Sequence, residues 1–359
     1  MSKMARPPWW AWTWPALAFA IMIITIMFGA AGATAAVAGA MLIAAVFAAV
    51  YHAEVVAHRI GEPFGTLVLA LAVTIIEVAL IVSVMLGVSA DKAGLARDTV
   101  FSVVMIVCNG IVGLCLLSGG VRHHEQGFQV QGASAALAVL APLTILTMVV
   151  PNFTVGAPGP AFSSSQLAFA AVVSLVLYGS FVFVQTVRHR DYFLPLESGD
   201  VEHASSPPAN VALTSLGLLL VSLVAVVGLA KALTPSVEGL IGSLGAPKAV
   251  VGIAIAMLVL MPEGLAALKA ARANRLQTSL NLALGSALAS IGLTIPAVAV
   301  VSIVLGQQLD LGLHAKESVL LALTLLVGVI TLGTGRTTVL QGIVHLVIFA
   351  AFLFLTIVP

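Results

Sequence analysis

Eleven apolar stretches, each close to the about 20 residues a helix needs to cross a bilayer, follow one another along this chain and leave room for little else. They fall near 9–29, 32–52, 64–88, 99–119, 132–151, 165–187, 210–231, 248–271, 277–305, 317–333 and 337–358. Only 8% of the 359 residues are charged. A soluble domain carries about 25% and needs them to meet water. The expected fold class is therefore an all-α polytopic membrane protein with no separate soluble domain.

The first stretch follows Lys3 and Arg6 and opens with Trp9, Trp10, Trp12 and Trp14. Its apolar run is longer than the roughly 7–15 residues of a signal-peptide core. Tryptophans settle at the membrane–water interface, so the stretch reads as an uncleaved leading helix. The longest polar stretch, "RHRDYFLPLESGDVEHASSPPAN", holds Pro207-Pro208 and reads as a surface linker. The expected organisation is a leading helix in 1–30, five helices in 31–187, a cytoplasmic linker at 188–209 and five helices in 210–359. Five is odd, so the halves enter the membrane in opposite senses, which is the plan of an inverted repeat.

Lysines and arginines set the orientation. With the N-terminus in the cytoplasm, ten lie on the cytoplasmic side: Lys3, Arg6, Arg59, Arg122, Arg188, Arg190, Lys269, Arg272, Arg275 and Arg336. Five lie on the other: Lys92, Arg97, Lys231, Lys248 and Lys316. The C-terminus is then expected outside. The net charge of +1 and the lack of a basic cluster argue against nucleic acid as a partner. Cys108 and Cys115 lie seven apart on one helix, about 10 Å, too far for a disulfide.

Of fourteen acids, twelve fall in connections or at helix ends. Glu77, within "LALAVTIIEVALIVSVML", and Glu263, within "LVLMPEGLAALKA", do not. Each occupies the second segment of its half. A carboxylate at a helix centre costs about 2.5–3.5 kcal/mol on insertion scales and usually faces a cavity or a partner. The competing structural reading is a protonated, hydrogen-bonded bundle residue. Pro262 frees a backbone carbonyl beside Glu263 and is expected to disturb its helix. Carboxylates, carbonyls and hydroxyls together suit a hard cation such as Ca²⁺.

The segments after each acid add Asn109 in the first half and Asn281, Gly285 and Ser286 in the second. Asn109, Asn281 and Ser286 are candidate oxygen ligands, with helix packing an equal alternative. Gly285 and the other glycines fit close helix contact. Thr74, one turn before Glu77, is a candidate partner for its carboxyl. His345 fits a hydrogen-bonded bundle histidine better than a proton relay. No phosphate-binding loop or nucleophile elbow is present, which argues against ATP as an energy source and against hydrolytic chemistry.

Three runs carry a family resemblance. "HRIGEPFGTLVLALAVTIIEVALI" and "PEGLAALKAARANRLQTSLNLALGSALASIGLTIPAV" resemble the first and second α-repeats of the calcium:cation antiporter superfamily. "GRTTVLQGIVHLVIFAAF" resembles the C-terminal end of its bacterial calcium(sodium)/proton antiporters, in the calcium/proton exchanger branch. The resemblance implies one leading helix plus two inverted five-helix repeats, about eleven transmembrane helices. It implies that Glu77 and Glu263 alternate between cation and proton. It carries over Asn109, Gly285 and Ser286 as their polar neighbours. Val104-Met105 stands where the branch has Gly-Ser, and Ala289 where it has glutamine. Only Glu197, Asp200 and Glu202 remain of an acidic central loop.

The expectation is a secondary antiporter of a bacterial inner membrane. It extrudes Ca²⁺, with Na⁺ or K⁺ as alternatives, in exchange for H⁺ and without a cofactor. The rivals are a cation channel and, further off, a membrane-embedded enzyme using Glu77 and Glu263 as acid and base.

Overall fold

The computed structural model describes residues 8–61, 64–85, 94–194, 207–243, 245, 247 and 249–358. Most of the polar linker, with Glu197, Asp200 and Glu202, lies outside the described residues. The helices are α1 (Trp9–Phe28), α2 (Ala33–Ile60), α3 (Phe64–Met85) and α4 (Leu95–His123). They continue as α5 (Val130–Phe153), α6 (Ser164–Arg188), α7 (Ala209–Ser243) and α8 (Ala249–Arg272). The last are α9 (Leu276–Leu305), α10 (Ala315–Leu332) and α11 (Val339–Ile357). Each answers to one apolar stretch. Ten are long and apolar enough to cross a membrane, and α3 is apolar over Ala70–Val82.

Two helices run well past the end of their apolar stretch. α2 continues past residue 52 through Glu54, His58 and Arg59. Polar side chains do not end a helix whose backbone bonds are already made. Gly61 ends it, at φ +77°, donating its N–H to the Ala57 carbonyl. α7 likewise runs to Ser243, with Pro235 inside it.

The chain packs as two compact units, and each takes helices from both halves of the sequence. The first holds α1, α2, α3 and α7. In it α2 packs against the other three. His52 Nε2 donates to the Ala11 carbonyl at 2.7 Å, tying α2 to α1. The Trp10 ring lies 4.8 Å from that of Trp14 and 5.2 Å from that of Tyr51.

The second unit holds α4, α5, α6 and α8 to α11. Its loops show the inverted repeat directly. β1 (Gln126–Gly127), between α4 and α5, pairs antiparallel with β2 (Arg336–Thr337), between α10 and α11. A second antiparallel bridge joins Ala161, between α5 and α6, to Asp310, between α9 and α10. Exchanging the halves turns one pairing into the other. Helix alternation puts the two pairings at opposite ends of the bundle, as a two-fold axis in the membrane plane requires. The helices repeat the relation: α11 packs on α4, and α6 packs on α9. Both contacts are made close by glycine. A Cβ on Gly113 would lie 3.0 Å from that of His345, and one on Gly292 would lie 2.5 Å from that of Tyr178.

Candidate functional site

Glu77 sits in the first unit on α3 and is wholly buried. Ile76, Leu80 and Ile81 are buried around it on the same helix. Thr74, one turn before, is buried too, and its hydroxyl has no hydrogen-bond partner among the described residues. A carboxyl group buried within a membrane bundle is costly to hold charged and is tolerated when paired, protonated or bound to a cation.

Glu263 sits in the second unit on α8 and is half-buried. α8 runs unbroken from Ala249 to Arg272 with Pro262 inside it. The expected disturbance does not interrupt the helix. Pro262 still removes one N–H, which leaves the carbonyl of Leu258 without its helical donor.

The neighbours of Glu263 follow from how α8 runs along α4. A Cβ on Gly252 would lie 3.0 Å from the backbone of Asp98 and Thr99, and one on Gly264 would lie 3.1 Å from the Ile111 side chain. Further along, Ala267 and Ala271 pack with Cys115, flanked by Ile111, Leu268 and Leu282. The contacts advance together, so α4 and α8 are parallel. Cys108 and Cys115 are both free thiols.

On α9, Ser286, Ser290 and Thr294 recur every four residues and so share one face. Ser286 is half-buried. Ser290 and Thr294 are buried, and neither hydroxyl has a hydrogen-bond partner among the described residues. Thr294 is a polar residue that the sequence reading passed over; its four-residue spacing from Ser286 and Ser290 was the available signal.

The two asparagines are committed elsewhere. Asn281 donates to the Phe193 carbonyl at 2.6 Å and accepts from Gln277 Nε2 at 3.0 Å. With Gly285 it lines a narrow crevice against Ala133 and Ala136 of α5 and Phe181 and Gln185 of α6. Asn109 lies in a π turn, Ile106–Ile111, inside α4. Its Nδ2 donates to Thr324 Oγ1 of α10 at 2.8 Å, and its Oδ1 accepts from His345 Nδ1 of α11 at 3.1 Å. Asn109 therefore faces α10 and α11, while Ile111, two residues on, faces α8. His345 is a hydrogen-bonded bundle histidine, as expected, and its partners were not legible. Val104, Met105 and Ala289 are all buried apolar side chains.

The model of the sodium/calcium exchanger protein family matches residues 14–187 and 214–358. The chain is 50% identical over 365 residues to the putative ionic transporter y4hA of Sinorhizobium fredii, covering 99% of this chain and 98% of that one. It is 39% identical over 316 residues to the sodium-potassium/proton antiporter ChaA of Escherichia coli, covering 87% and 85%. Its fold matches the crystal structure of the Ca²⁺/H⁺ antiporter protein YfkE with a TM-score of 0.73 at 16% identity, over 97% and 99% of the two chains.

Proposed function

We infer the exchanged cation from a fixed premise: the chain belongs to the sodium/calcium exchanger protein family. It is a membrane-embedded cation/proton antiporter. We propose that Na⁺ or K⁺ is the cation exchanged for H⁺, with Glu77 and Glu263 as the groups that carry one or the other. The observation that carries this is the commitment of both asparagine amides to other partners. On α9, in the same unit as Glu263 and packed on α8 at Leu282, the row of Ser286, Ser290 and Thr294 offers neutral hydroxyls, and Pro262 frees the Leu258 carbonyl on α8 itself. Ca²⁺ takes 6–8 oxygens, several of them charged. Neutral hydroxyl and carbonyl oxygens fit a singly charged ion better. The likeness to a sodium-potassium/proton antiporter points the same way. Ca²⁺ remains the second reading, because carboxylate oxygens are also ligands that Ca²⁺ takes.

Exchange then needs only competition. A buried carboxylate is tolerated when neutralised, and a proton and a cation each do this. Loading by one expels the other. Alternate exposure of the loaded groups to the two sides couples the fluxes, and the proton gradient supplies the energy. A bacterial plasma membrane with a cytoplasmic N-terminus accords with the ten-to-five distribution of lysine and arginine. The test is an everted-vesicle assay in which Na⁺, K⁺ and Ca²⁺ are added in turn across a pH series. Na⁺ or K⁺ is expected to dissipate the pH gradient at concentrations where Ca²⁺ does not. Dissipation by Ca²⁺ alone would replace this reading with the divalent one.

A further inference from the structure

The buried polar chain through Asn109 is costly unless every member is satisfied, and its geometry fixes the proton of each. Thr324 Oγ1 gives its single hydrogen to the Leu320 carbonyl at 2.7 Å. It can then only accept from Asn109, so the nitrogen of that amide faces Thr324 and the oxygen faces His345. Nδ1 of His345 must carry a hydrogen to meet that oxygen. In the neutral ring Nε2 is an acceptor, and Thr331 Oγ1 lies 3.1 Å from it, able to donate. Asn109, Thr324, Thr331 and His345 are all buried.

These bonds converge on the one irregular turn of α4. A π turn leaves the helical bonding pattern short and persists where something else holds it. Here the holders are α10 and α11. From the α11 side Phe349 lies against Gly110 and His345 against Gly113. The opposite side of the same turn presents Ile111 to Gly264, the residue after Glu263.

We propose that His345 is a positioning residue for Glu263. Held as its Nδ1–H tautomer, it fixes Asn109 and the π turn, and through Ile111 it sets where α8 holds the carboxylate. It carries no proton across the membrane. This rests on the role proposed above for Glu263.

His345→Leu removes the donor to Asn109. His345→Asn keeps a donor at the position of Nδ1. Both are compared with the unaltered protein and with Glu263→Gln in Na⁺/H⁺ exchange by reconstituted vesicles, with thermal midpoints recorded on the same preparations. His345→Leu is expected to raise the apparent KM for Na⁺ about fivefold or more, a shift of roughly 1 kcal/mol. The pH range of activity should stay unmoved, and His345→Asn should return KM to within about twofold of the starting value. A fall in maximal rate and thermal midpoint with KM unchanged would reduce His345 to a packing residue and overturn the proposal. Loss of exchange in a folded His345→Asn protein would make it a proton carrier and overturn it too. The Glu263 reading fails separately, by full exchange in Glu263→Gln.

Discussion

Replacing Glu77 by glutamine stops cation-driven proton movement, by roughly two orders of magnitude or more, while the protein still inserts and purifies. Glutamine matches the carboxyl in shape and is neutral. It therefore suits the enclosed site on α3 at least as well as glutamate does, and Glu77 is wholly buried there. What it lacks is the ability to gain and lose a proton or to attract a cation. Glu263→Gln is expected to do the same from the second unit. If the two groups serve one cycle, the double substitution is no worse than either single one. Full exchange in Glu77→Gln would mean that its carboxyl is a packing feature. Single-channel currents from the unaltered protein would point instead to a channel.

The second large effect concerns packing. Gly342→Val on α11 is expected to destabilise the protein by about 3 kcal/mol, at the upper end for overpacking a tight contact. A Cβ at Gly342 would press on the backbone nitrogen of Leu117 and lie 2.7 Å from its Cα. Backbone cannot swing aside as a side chain can, so α11 must lift from α4. The same lift pulls His345 from Asn109. Gly179→Val is the control, since open space surrounds a Cβ there. A thermal midpoint and the yield of monodisperse protein check both. Equal midpoints for the two variants would show that the α4–α11 contact is looser than described.

The sequence yields the helices because crossing a bilayer demands a long apolar run, and such runs are visible without any partner. It yields Glu77 and Glu263 for the converse reason: an acid inside such a run stands out. It does not yield helix ends such as those of α2 and α7, where polar residues stay helical beyond the apolar run. Pro262 shows a limit of a different kind. The ring removes one bond as expected, and its neighbours still hold α8 together.

The chain through Asn109 and His345 was out of reach for a clearer reason. Its partners are 215 and 236 positions apart in the sequence, and no pattern of spacing on one helix announces them. The π turn has no composition of its own; "IVCNGI" reads as ordinary apolar helix. On the sequence Asn109 therefore reads equally as a ligand beside the glutamates or as a packing residue, and in the fold its amide bonds to α10 and α11. The loop pairings that display the two-fold relation are likewise contacts between distant links, invisible in either half alone.

Competition between proton and cation for the two glutamates can be read without transport. Purified protein in weakly buffered detergent solution is mixed with Na⁺, and the pH of the medium is followed. Release of protons on adding Na⁺, lost when Glu77 and Glu263 are both replaced by glutamine, is the predicted result. Saturable Na⁺ binding with no proton released, or release that persists without the two carboxyls, would contradict the account.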